Sequence, residues 1–251
     1  MKRLATIALL TLSTIFLAYS SLYAQPKYPT PLKKVFEKHG GMDLWQKQPA
    51  FSYDIVRDKG NETHYINLKD RRDKIEAPNF DMGFDGQDVW VKEKGKKYEG
   101  NAIFYHNLMF YFYAMPFVLG DDGINYSETK PITFEGKTYP GVSISYNAGV
   151  GSSPEDEYFI HYDPDTYQMT WLGYTVTYYT KEKSDKVKWI RYDDWTTIDG
   201  IVLPQSMTWY KFEDGKLTEP RSTAKFDKIK LSSKPYGDTF FAKPEGATVA
   251  K

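Results

Sequence analysis

The sequence contains no cysteine. That excludes disulfides, thiolate catalysis, thiolate metal ligation and acylation at a lipobox cysteine. Histidine is scarce. His39, His64, His106 and His161 are the only four, and none stands in an HxH or HExxH arrangement. Net charge is missing too, with 33 basic residues against 33 acidic ones. A chain without a basic stripe gives no support for nucleic-acid binding. There is no GxSxG elbow, and Gly149-Val150-Gly151 lacks the strand-turn-helix setting of a phosphate loop. Asp193-Asp194 and Asp156-Glu157 are adjacent acids, but neighbours in a strand face opposite ways and make no ready acid/base pair. These absences point away from an enzyme and from any cofactor.

What is present begins with a leader. Lys2 and Arg3 form a short positive region, and Leu4 to Ala18 is apolar apart from Thr and Ser. Leu22-Tyr23-Ala24 then offers a small residue before Gln25. This is the layout of a secretory signal peptide over residues 1–24. Its apolar part is shorter than the roughly 20 residues of a spanning helix. The expectation is an exported, soluble, non-lipidated chain of residues 25–251, folding as one domain. Without disulfides, that domain must rely on its core. Aromatic residues make up 17% of the chain. They favour strands and can line apolar pockets, so their abundance fits a large core and a binding cavity alike.

Along the mature chain, Thr30-Pro31 reads as a helix start, with Thr as N-cap. Leu32, Val35 and Phe36 fall on one helical face, and Gly40-Gly41 makes a stop. Residues Leu32 to Lys47, including a short turn with Leu44 and Trp45, are read as helix packing on a sheet. From Phe51 the apolar period becomes two, with turns at Lys59-Gly60-Asn61, Asp85-Gly86, Asp199-Gly200 and Asp214-Gly215. Ile103 to Leu119 carries no formal charge. It is read mostly as one helix ending near Pro116, apolar nearly all round and therefore buried. Phe104, Leu108, Phe112 and Met115 share one stripe of it. Leu172, Tyr174, Val176 and Tyr178 are read as one face of a long strand. About ten strands against two helices, without βαβ alternation, predict an α+β fold dominated by an antiparallel sheet. His161-Tyr162-Asp163-Pro164-Asp165 is the nearest approach to a metal cluster, but the Asp-Pro-Asp segment reads better as a turn.

Several landmarks in this order resemble the LolA-like superfamily of periplasmic lipoprotein carriers. They are Gly40-Gly41 with Trp45, Phe84-Asp85-Gly86 before Trp90, the uncharged segment ending Pro116-Phe117-Val118-Leu119, Tyr162-Asp163-Pro164, and Asp199-Gly200-Ile201-Val202-Leu203-Pro204. The layout is closer still to a branch of secreted Bacteroidetes proteins. The resemblance covers most of Leu32 to Pro244. It implies a half-open β-barrel with helices across its concave face, a periplasmic location, and a lipid or acyl chain as ligand, with an envelope protein as possible partner. One arginine is important in the lipoprotein carriers, and no functional residue is carried over to this sequence on that ground. The expected ligand-binding residues are Phe104, Leu108, Phe112 and Met115 from the helix and Leu172, Tyr174, Val176 and Tyr178 from the sheet. A second reading is a carbohydrate or envelope-surface module, in which Trp171, Trp189, Trp195 and Trp209 form an exposed stacking row. Where the aromatics point separates the two.

Overall fold

The computed structural model describes residues 27–149 and 153–251. The expected leader lies outside the described residues.

Two short helices open the fold, α1 (Thr30–Lys38) and α2 (Met42–Gln46). Thr30 is already helical and Pro29 occupies the cap position, without a side-chain cap bond. The predicted start is therefore displaced by one residue. Gly40 separates the two helices at φ +106°, and a Cβ there would sit 2.3 Å from the Gly200 carbonyl oxygen. The end of α1 can approach the Asp199-Gly200 turn this closely only with glycine. Leu32, Val35 and Phe36 are buried as the spacing predicts, each side chain worth about 1.5–3 kcal/mol.

A five-strand meander follows: β1 (Ala50–Ile55), β2 (Glu62–Asn67), β3 (Asp73–Glu76), β4 (Phe80–Phe84) and β5 (Val89–Glu93). The chain then crosses the sheet through α3 (Ala102–Tyr105), α4 (Leu108–Tyr113) and a 3₁₀ turn (Phe117–Gly120). The second half contains β6 (Ile124–Glu128), β7 (Ile132–Phe134), β8 (Lys137–Tyr139), β9 (Gly141–Tyr146), β10 (Tyr158–Tyr162), β11 (Met169–Tyr174), β12 (Lys188–Ile198), β13 (Ile201–Glu213) and β14 (Lys216–Ser232). Helix α5 (Asp238–Phe241) and β15 (Thr248–Val249) end the chain. Thirteen strands form one sheet in the order β15-β5-β4-β3-β2-β1-β14-β13-β12-β11-β10-β9-β6, and β7 and β8 form a separate hairpin. Each strand pair is antiparallel, and β1 joins the two halves by pairing with β14. The end strands β15 and β6 are not paired with each other. The architecture is the expected one: an open antiparallel half-barrel with helices across one face.

The two faces carry different cores. Alternation sends Leu172 and Ile190 to the helix-covered face, where they join Phe51, Tyr113, Phe117 and Phe226. Trp171 and Trp189 point the other way, under the β7–β8 hairpin with Phe134 and Tyr139. Phe134 meets Trp171 edge-on at 4.9 Å. The exposed tryptophan row of the carbohydrate reading is not formed. Trp171 is 0% and Trp189 5% exposed, while Trp195 and Trp209 pack partly buried against the inner core. Among the described residues, no helix is long and apolar enough to cross a membrane.

Candidate ligand-binding site

The uncharged segment differs from the single helix expected. It makes α3, α4 and the 3₁₀ turn in succession. Polar residues mark its start and its first break. The Asn101 side chain caps α3 by accepting from the Phe104 backbone N–H at 3.0 Å. His106 closes α3 with helical angles, its N–H donating to the Ala102 carbonyl, and pairs through Nδ1 with Asp73 Oδ2 at 2.6 Å. The path turns at Asn107, φ −112° and ψ −1°, the cap position of α4. Burial raises the Asp73 carboxyl pKa to about 6, with His106 opposing the shift. Beside this pair the Tyr105 hydroxyl donates to Glu62 Oε2 at 2.6 Å. Met115 precedes Pro116, a position that disfavours helix. The far end of α4 is held by the Tyr192 hydroxyl, which donates to the Phe112 carbonyl at 2.8 Å in a buried bond. Tyr192→Phe should lower stability by about 1 kcal/mol, read as a shift in the urea midpoint.

The break leaves a pocket of about 160 Å³ on the helix-covered side of the sheet. Phe104, Asn107, Leu108, Tyr111 and Phe112 supply its helical wall. Tyr146 of β9 and Tyr158 of β10 supply the sheet wall, and Asp156 and Tyr178 come from the flanking loops. The strand expected to run from Leu172 to Tyr178 stops at Tyr174. The Asp156 side chain explains the stop. Thr175 N–H still donates to the Glu157 carbonyl at 3.0 Å, but Thr177 N–H donates to Asp156 Oδ1 at 2.6 Å. A side chain thus takes the next place in the ladder. The backbone turns away, with Lys181 N–H donating to the Thr177 carbonyl, and this turn carries Tyr178 back beside Phe104 at 4.8 Å.

Of the eight expected residues, Phe104, Leu108, Phe112 and Tyr178 line the pocket. Met115 and Leu172 are fully buried in the inner core and do not line it. Tyr174 stands behind Phe112 at 4.7 Å, its hydroxyl accepting from Trp209 Nε1 at 3.0 Å. Val176 packs partly buried against the core. Sequence reasoning missed Tyr111, Tyr146, Tyr158 and Asp156. The alternation Val142, Ile144, Tyr146 already placed Tyr146 on the inner face. Nothing local marked Tyr111, whose hydroxyl meets that of Tyr146 at 2.6 Å. Burial pushes the Tyr111 pKa up to about 12 and raises those of Tyr146 and Tyr158 further. The phenols are therefore neutral.

Residues 42–222 match the model of a family of unknown function, DUF6503. The chain belongs to this family. The match runs from α2 into β14 and includes every residue of the pocket. No curated protein is significantly similar to this DUF6503 chain in sequence. Among solved structures, a LolA superfamily protein from Nitrosomonas europaea aligns with 84% of this chain and 97% of its own, at 10% identity and a TM-score of 0.49. A DUF1329 family protein from Desulfovibrio piger covers the same shares at 14% identity and a TM-score of 0.49. The lipoprotein-sorting domain described as putative from Vibrio parahaemolyticus covers 82% of this chain and 97% of its own, at 8% identity and a TM-score of 0.35.

Proposed function

We propose that this protein is an exported, periplasmic binding protein for a lipid-like ligand, and that it grips one end of that ligand in the pocket beside α3 and α4. It acts by binding rather than by catalysis. The observation that carries the reading is the pocket itself: an aromatic space where an uncharged helical segment breaks, facing the inner side of an open sheet. At other places in the inner core rings stack directly, Trp45 on Phe117 at 4.6 Å and Tyr113 on Phe226 at 4.0 Å. Ligand pockets commonly span about 300–1,000 Å³. At about 160 Å³, this one takes a ring-sized group or a short stretch of chain, and the rest of a long ligand would extend past Ile103 and Tyr178 at its rim. The LolA-like layout read from the sequence agrees with such a role, and the reading takes the chain as one of a secreted Bacteroidetes branch with that layout. The reading takes residues 25–251 as one domain behind a cleaved leader.

A fluorescent acyl probe tests this. The purified protein should bind it saturably. Leu108→Trp should fill the pocket and weaken binding about tenfold, the worth of roughly two buried methylenes, while the thermal midpoint stays near that of the parent. No saturable binding, together with a destabilised Leu108→Trp protein, would show a solid site that the larger ring overpacks.

A further inference from the structure

We propose that the pocket is an aromatic cage for an organic ammonium group of the choline or N-methylated amine type. The proposal rests on the reading of this pocket as the ligand site and adds the chemical class of the group bound.

Six rings surround the space: Phe104, Tyr111, Phe112, Tyr146, Tyr158 and Tyr178. Their planes cross rather than stack. Tyr146 and Tyr158 meet at 84°, Tyr111 and Tyr158 at 53°, and Phe104 and Tyr178 at 47°. A group placed among them meets ring surface from several directions. Aromatic faces are negative and attract cations, quaternary ammonium groups above all. Among the described residues, the one formally charged member of the lining is an acid, Asp156, which is 8% exposed. No Lys or Arg among the described residues lines the pocket. The nearby cations lie outside it. Lys181 is exposed and rests its Nζ on the Tyr178 ring at 4.3 Å, so a pocket ring already attracts an ammonium group. Arg71 is engaged by both carboxylate oxygens of Asp121 at 3.0 and 2.8 Å.

This lining discriminates between kinds of ligand. A carboxylate or phosphate pushed inward would face the Asp156 carboxylate across aromatic walls. A neutral alkyl group would fill the volume but give the acid, which the Thr177 N–H and the exposed Lys181 already face, no partner inside the pocket. An ammonium group satisfies both the rings and the acid. The volume suits it as well, since a cavity of about 150 Å³ holds a molecule the size of benzene.

Titration calorimetry of the purified protein with choline and with 3,3-dimethyl-1-butanol, its neutral isostere, reads the charge preference directly. Choline should bind at least about tenfold tighter. Asp156→Asn keeps an oxygen for the Thr177 N–H and should erase most of that ratio. Dihexanoylphosphatidylcholine separates the two sources of such a group. Much tighter binding than choline indicates a lipid headgroup, and equal binding indicates a free amine. Equal affinity for choline and the butanol, or no binding of either while the acyl probe still binds saturably, overturns the cage and leaves the pocket as a hydrophobic site. Loss of acyl-probe binding as well removes the ligand site altogether.

Discussion

Tyr113→Ala should cost about 3–5 kcal/mol of stability, the usual range for deleting a large buried ring. Tyr113 is 0% exposed. It stacks on Phe226 at 4.0 Å and on Phe51 at 5.6 Å, and leans on Tyr53 at 4.4 Å. These partners lie on β14 and β1, the pair that joins the two halves of the sheet. The lost ring therefore opens a cavity where the halves meet, and close-packed neighbours refill such a space only in part. The hydroxyl behaves differently. It is buried without a hydrogen-bond partner among the described residues, so the folded state carries its desolvation cost with nothing in return. Tyr113→Phe should be neutral or slightly stabilising. Urea denaturation of both variants checks the pair, and a Phe variant as damaged as the Ala variant would show that the hydroxyl is bonded.

Lowering the pH from 6.5 to 4 should remove about 3 kcal/mol of stability through His39 alone. His39 is 0% exposed. Its Nδ1 lies 3.0 Å from the Val202 carbonyl, while Nε2 accepts from the Gln168 amide at 2.8 Å and from the Met169 backbone N–H at 3.2 Å. One nitrogen donates and the other accepts, so the site fits only the neutral ring. Burial lowers the pKa from 6.5 to about 4. Between those values the unfolded chain binds more protons than the folded one. The stability from His39 is thus complete above pH 6.5, declines as the pH falls, and is gone below about 4. His161, lowered to about 4 chiefly by burial, acts in the same direction. Asp73 acts oppositely. Its pKa is raised to about 6, so its contribution improves as the pH falls through 6. The three together still leave a net loss toward acid. His39→Gln should flatten the profile of urea midpoint against pH by about one histidine's share, and an unchanged slope would contradict this account of the α1–β13 contact.

The antiparallel architecture is legible in the sequence because its turns are local. Asp199-Gly200 joins β12 to β13, Asp214-Gly215 joins β13 to β14, and Asp85-Gly86 lies between β4 and β5. The pairing of β1 with β14 is not legible, since no local signal ties Phe51 to Leu231. The site was half legible, and the errors share a cause. Apolar periodicity suggested an unbroken helix from Ile103 and an unbroken strand through Tyr178. The breaks come instead at polar residues: Asn107, beside the bonded His106, in the first case, and Asp156 in the second. Asn101 and Asn107 are good cap residues and could have been read as helix starts. The His106–Asp73 and Asp156–Thr177 bonds depend on tertiary approach. Tyr192 likewise reaches the Phe112 carbonyl across 80 positions of sequence.

Native mass spectrometry of the protein purified from its own cells tests the central claim, that the pocket beside α3 and α4 holds a ligand. The account predicts an added mass of lipid-like composition on the parent protein, and its loss in Leu108→Trp. A bare chain mass for a folded parent protein, or an adduct that persists unchanged in Leu108→Trp, would contradict it.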